Sequence, residues 1–123
     1  MKYTDFSGLF DLDGIELALL STFNFDPDYF ERRLLAETTL TDARRIAVFM
    51  DCGQWHQLLS EDIPARLINL RYLVVPVRHK PGVFHPKLHA CLSGEEARIL
   101  CGSGNLTRPI FRNLASVATR GRR

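Results

Sequence analysis

Short apolar runs, each closed by turn residues and separated by segments of helical character, constrain this chain more than any other feature. Ile15 to Phe25 is apolar and ends in Asn24-Phe25-Asp26-Pro27, a strand running into a turn. Pro27 suits a first helical turn, Asp26 can cap it, and Asp28 and Glu31 favour its positive end, so a helix is expected to about Glu37. Arg45 to Met50 reads as a strand covered on both faces, Gln54 to Leu59 as a second helix, and Arg71 to Val77 as a strand that Pro76 places at an edge or an end. This alternation predicts an α/β domain with a mixed, mostly parallel sheet flanked by helices. Two further strands, Lys87 to Leu92 and Ala97 to Cys101, flank Ser93-Gly94-Glu95-Glu96 and read as a C-terminal hairpin, and Ala115 to Thr119 reads as a last strand.

A length of 123 residues predicts one domain, residues 1–123. With 46% hydrophobic and 24% charged residues the composition is that of a soluble globular protein. No apolar run reaches the roughly 18 residues of a membrane helix, and Met1-Lys2-Tyr3-Thr4-Asp5 lacks a signal-peptide core, so a cytoplasmic protein without a membrane partner is expected. The three cysteines (Cys52, Cys91, Cys101) form neither a zinc spacing nor a disulfide framework. No metal or cofactor is expected. Charge is unevenly spread: residues 1–77 hold seven Lys/Arg against twelve Asp/Glu, a balance of −5, whereas residues 78–123 hold nine against two, a balance of +7. Such a segment attracts phosphates whatever their sequence context, although a solvated basic face is the ordinary alternative.

The most informative stretch is Phe84-His85-Pro86-Lys87-Leu88-His89. Pro86 pushes His85 into an extended conformation near a strand start. Alternation from there would put His85, Lys87 and His89 on one face and Pro86, Leu88, Ala90 and Leu92 on the other, apolar one. A hairpin folded about Gly94 would pair residues whose numbers sum to roughly 188, so that Leu92 meets Glu96, Leu88 meets Leu100 and His85 falls opposite Ser103. The second strand runs into Cys101-Gly102-Ser103-Gly104-Asn105-Leu106-Thr107, whose glycines permit close backbone approach and exposed amides. Imidazole, ammonium, hydroxyl, carboxamide and backbone N–H would then converge at one strand end, a set suited to anion capture. His89 reads as structural or surface, His56 as a packing residue beside Trp55, and His79 as a loop residue.

These residues resemble the phospholipase D superfamily, whose half-site is His-x-Lys followed, after a strand and turn, by Gly-Ser-x-Asn; here they are His85-Pro86-Lys87 and Gly102-Ser103-Gly104-Asn105. The flanks, with Leu106-Thr107-Arg108, look like the phospholipase D-like nuclease domains of bacterial helicase-associated, restriction and anti-phage proteins, and Leu19 to Pro27 resembles the opening strand and turn of such domains. The chain departs from the pattern at Leu92, where family members commonly carry Asp, and around Ala115, where the nuclease branch often shows an acidic residue. It also stops where a closing helix would be expected, which suggests a half-domain truncated at its C-terminus.

The resemblance implies phosphodiester hydrolysis through a covalent phosphohistidine: His85, Lys87 and Asn105 are the expected catalytic residues, with Gly102, Ser103, Gly104 and Arg108 binding substrate. Two half-sites are required and the chain carries one, so a homodimer or larger complex would complete the site. Arg108, Arg112 and Arg120 suit a nucleic-acid backbone track, DNA before RNA, and no membrane-binding helix points to lipid. The competing expectation is a non-catalytic phosphate- or nucleic-acid-binding subunit, or an assembly subunit, of a defence or repair complex.

Overall fold

The computed structural model describes residues 2–4, 9–62, 66–101, 106 and 114–120, the first and last of these segments as backbone only. Its strands are β1 (Lys2–Thr4), β2 (Leu17–Thr22), β3 (Arg45–Asp51), β4 (Leu73–Val77), β5 (Leu88–Leu92), β6 (Glu96–Cys101) and β7 (Leu114–Arg120). They form one mixed sheet in the order β1-β7-β6-β5-β2-β3-β4. Only β2–β3 and β3–β4 are parallel; the other four neighbouring pairs are antiparallel, so the sheet is mixed but not mostly parallel. Helical crossovers join the parallel pairs β2–β3 and β3–β4 and a hairpin joins the antiparallel pair β5–β6, whereas the antiparallel pairs β2–β5 and β1–β7 bring together strands distant in sequence. The strand β1, pairing Lys2–Thr4 with Ser116–Leu114, is an addition the sequence pattern did not predict. Pro76 lies in β4, which is the sheet edge, where a missing ladder donor is tolerated.

The helix expected from Pro27 to Glu37 begins as predicted. Asp26 Oδ1 accepts from the Tyr29 N–H at 3.1 Å, and Pro27 occupies the first turn of α1 (Pro27–Tyr29). It then widens into a π-helical stretch, Phe30–Leu35. That stretch buries Phe30, Leu34 and Leu35, and Glu31 on its other side serves as a staple. Glu31 accepts from the N–H groups of Arg66 (3.0 Å) and Leu67 (3.2 Å) and from the Tyr72 hydroxyl (2.8 Å). Burial, then the Glu31 carboxylate, hold the Tyr72 phenol far above its ordinary value, so it remains a donor. Phe25, Phe30 and Tyr72 pack edge to face or tilted, with ring centroids 4.9 to 6.1 Å apart. A 3₁₀ turn (Thr39–Asp42) leads into β3. The second helix, α2 (Cys52–Leu59), is capped by Asp51.

Register aligns one face across the sheet. Ala18, Leu20 and Thr22 of β2 stand beside Ile46, Val48 and Met50 of β3, and Val48 beside Val74 of β4. On the other side Leu20 meets His89 of β5, which meets Leu100 of β6. All of these are buried and form the core with the residues of α1 and the π-helical stretch. The opposite face, including Ala47, Phe49 and Ala90, is only half-buried, so β3 is not covered equally on both sides. Full burial of such a side chain stabilises by about 1.5–3 kcal/mol, which makes the first face the main source of cohesion.

The hairpin register differs from expectation by one residue: Leu88 pairs with Cys101, His89 with Leu100 and Leu92 with Ala97. Ser93 absorbs the extra position, its hydroxyl accepting from the N–H groups of Glu95 and Glu96. A slip of one exchanges the faces. His89 and Cys91, not Leu88, Ala90 and Leu92, therefore take the most buried positions of β5, and Leu88 is 48% exposed. His89, 1% exposed, is a structural residue, and burial pushes its imidazole down to about 3. Burial likewise pushes the Cys91 thiol up to about 12.

His89 thus stays neutral in the folded chain while it takes a proton below about 6.5 in the unfolded one, so stability falls as pH drops from about 6.5 towards 3. The His89→Leu variant should lose less stability than wild type between pH 7 and pH 5, by about 2 kcal/mol, in urea denaturation at the two pH values. Tyr72→Phe should cost about 1–2 kcal/mol in the same assay, because Glu31 loses its hydroxyl donor.

Candidate functional site

Five strand ends meet on one side of the sheet. Because β2, β3 and β4 are parallel, Thr22, Asp51 and Val77 finish together. Antiparallel pairing then puts the start of β5, Leu88, and the end of β6, Cys101, on that same side. Ligands of open α/β sheets bind outside the carboxyl ends of parallel strands, and this is such an end. The loop from Val77 to Leu88 crosses it and carries His85 and Lys87, which lie just before β5 and not within it.

A turn and two contacts hold that loop. Gly82 turns it at φ +105°, a conformation that side-chain-bearing residues rarely adopt. The Phe84 N–H donates to Asp51 Oδ1 at 3.0 Å, while Asp51 Oδ2 accepts from the Gln54 N–H at 3.1 Å. A single carboxylate thus caps α2 and ties down the residue before His85. The His85 ring lies against Phe23, centroids 5.0 Å apart, at the turn following β2.

His85 is exposed and Lys87 half-buried. The Lys87 ammonium lies 2.8 Å from His85 Nδ1, 3.2 Å from Nε2 and 3.4 Å from the His85 carbonyl oxygen. The ammonium lies close to both ring nitrogens at once, so the imidazole and the cation occupy one spot beside the strand ends. Partial burial lowers the Lys87 ammonium below its ordinary value. The same donor can reach a phosphoryl oxygen brought to the imidazole.

Gly102, Ser103, Gly104, Asn105 and Arg108 lie outside the described residues, as do Arg112 and the side chain of Arg120. Cys101 and Leu106, which flank the Gly-Ser-Gly-Asn segment, stand at this sheet end, whereas Arg120 pairs with Glu96 at the opposite end and so does not join the expected backbone track. Cys101 pairs with Leu88, one residue from Lys87. Leu106 is fully buried; its N–H donates to Thr22 Oγ1 at 3.0 Å and its carbonyl accepts from the Asp26 N–H at 2.9 Å. Of the other histidines, His56 is exposed and 3.9 Å from Cys52 Sγ, so it does not pack into the core as expected, and His79 is an exposed loop residue. Among the described residues no three His, Cys, Asp or Glu gather as metal ligands, and no helix is long and apolar enough to cross a membrane.

Sequence reasoning missed Asp51, Thr22 and Phe23. An acidic residue between a strand and a helix is a capping signal, so half of the role of Asp51 was available. Its bond to Phe84, thirty-three residues away, carries no local signal.

No family model matches the sequence, and no curated protein does. Solved structures do. The fold is similar to the yeast tyrosyl-DNA phosphodiesterase, at a TM-score of 0.60 and 17% identity over 83% of this chain. A mutant of the same yeast enzyme matches at 0.58 and 18% identity over 87%. The chain spans about a quarter of the length of these structures, 24% and 26%. The α/β sheet therefore has the fold of part of that yeast enzyme.

Asp51→Ala should lower stability by about 1–3 kcal/mol, since it uncaps α2 and leaves the Phe84 N–H without its acceptor. Thermal and urea unfolding measure the loss.

Proposed function

We propose that this chain is a phosphodiesterase acting on nucleic acid, a nuclease of the phospholipase D-like kind, with His85 as nucleophile and Lys87 and Asn105 holding the nonbridging oxygens. The observation that carries the reading is the contact between His85 and Lys87 at the strand ends of a fold shared with a DNA phosphodiesterase. Ser103, the Gly102 and Gly104 amides and Arg108 complete the phosphate contacts in this reading, and the protein acts without a metal, on DNA before RNA.

In the reaction an imidazole nitrogen of His85 attacks phosphorus, a P–N bond forms and the P–O bond to the leaving group breaks. A second, protonated imidazole gives its proton to the departing oxygen. Water, deprotonated by that second imidazole, then attacks phosphorus, breaks the P–N bond and restores His85. In this reading the second imidazole comes from another copy of the chain. The single motif equally favours a second reading, a non-catalytic phosphate-binding or assembly subunit of a defence or repair complex.

Labelled DNA and RNA incubated with the protein in excess EDTA separate the two. The expected result is cleavage by wild type that drops by ~10³-fold or more in His85→Ala while oligonucleotide binding persists. Lys87→Ala should weaken both cleavage and binding. Undiminished cleavage by His85→Ala refutes the assignment of the nucleophile, and binding without cleavage by wild type selects the second reading.

A further inference from the structure

We propose that the strap between β4 and β5, through Arg78 and Lys80, is a contact surface for the nucleic-acid backbone flanking His85 and Lys87; this rests on the substrate class proposed above. Residues 78–94 contain no Asp or Glu, yet carry Arg78, Lys80 and Lys87. Arg78 and Lys80 are exposed, and neither forms an ion pair with a described residue. Three cations elsewhere are paired, Arg32 with Asp28 at 2.8 Å, Arg33 with Glu37 at 3.3 Å and Arg98 with Glu96 at 2.5 Å, while Arg44, Arg45, Arg66 and Arg71 form no ion pair with a described residue. The carboxylate that does reach the strap, Asp51, has both oxygens occupied by backbone N–H groups. The strap charge is therefore left for a partner outside the chain.

Placement supports a polyanion. Lys80 lies five positions before His85, a reach of at most roughly 18 Å. A nucleic-acid strand carries about one phosphate per 3.4 Å of duplex axis, so Lys80 falls within about five phosphates of the reacting one and Arg78, seven positions from His85, within about seven. The loop is also pinned, by Asp51 at Phe84, by Phe23 against His85 and by the turn at Gly82, which lessens the ordering entropy lost on binding. Arg44 and Arg45 are comparably exposed and also lack ion pairs among the described residues, but they stand at the beginning of β3, at the opposite end of the sheet.

The test is oligonucleotide binding by fluorescence anisotropy across a salt series, with the full chain. Arg78→Gln/Lys80→Gln should weaken binding more than tenfold at low salt and reduce the slope of log K against log salt by about 1.4 for a single strand or 1.8 for a duplex. The charge-retaining Arg78→Lys/Lys80→Arg variant should restore the slope, and Arg44→Gln/Arg45→Gln should behave as wild type. A wild-type slope in the glutamine variant overturns the proposal, as does an equal loss from the Arg44/Arg45 pair, which would mean diffuse attraction to net charge. Absence of any oligonucleotide binding by wild type is a different failure: it removes the substrate class itself.

Discussion

The antiparallel seating of β5 against β2 is the constraint on which the rest of the site depends. Parallel β2 and β3 both deliver their carboxyl ends to one side of the sheet. Because β5 runs the other way, its first residue reaches that side, and β6, antiparallel to β5, finishes there. Had β5 been parallel, His85 and Lys87 would stand at the other end, by Arg44 and Arg45. The pairing is enforced by burial. His89 sits between Leu20 and Leu100 on the core face, and a shift of one residue would turn it and Cys91 outward.

Polar tethers then fix what the sheet only brings near. Thr22 and Asp26 hold Leu106, while Asp51 holds Phe84, so the residue before His85 and the residue after the Gly-Ser-Gly-Asn segment are fastened beside the ends of β2 and β3. Each such bond contributes about 1 kcal/mol net, and losing its acceptor costs more because the donor is left buried. Exposed side chains on well-fastened backbone are a favourable arrangement for a phosphoryl site, where position and charge matter more than covalent chemistry from many residues. The aromatic ring of Phe23 adds a wall for the imidazole without taking either ring nitrogen.

Much of this was legible beforehand, and unequally so. The strand from Arg45 to Met50, which extends to Asp51, the Asp26 cap with Pro27, the edge character of Pro76 and the hairpin about Gly94 follow from local rules, and each is present. What failed were the long-range choices. The mostly antiparallel character of the sheet, the added β1 and the one-residue register shift depend on partners distant in sequence. The face assignment of β5 failed for the same reason: the ordinary expectation puts Leu88 inside and histidine outside, but the Ser93 turn set the opposite phase.

The sequence by itself determined which chemistry is available: an imidazole and an ammonium two residues apart, a glycine-rich polar segment after the next strand, and an acid-free basic stretch between 78 and 94. Composition and spacing carry that information because they depend only on residue type and on the short-range geometry of strands and turns. Tertiary structure alone decided that Asp51 steadies the loop before His85, that Phe23 backs its ring and that His89 is core. Those outcomes come from residues dozens of positions apart meeting at one sheet end, and local pattern holds no record of such meetings.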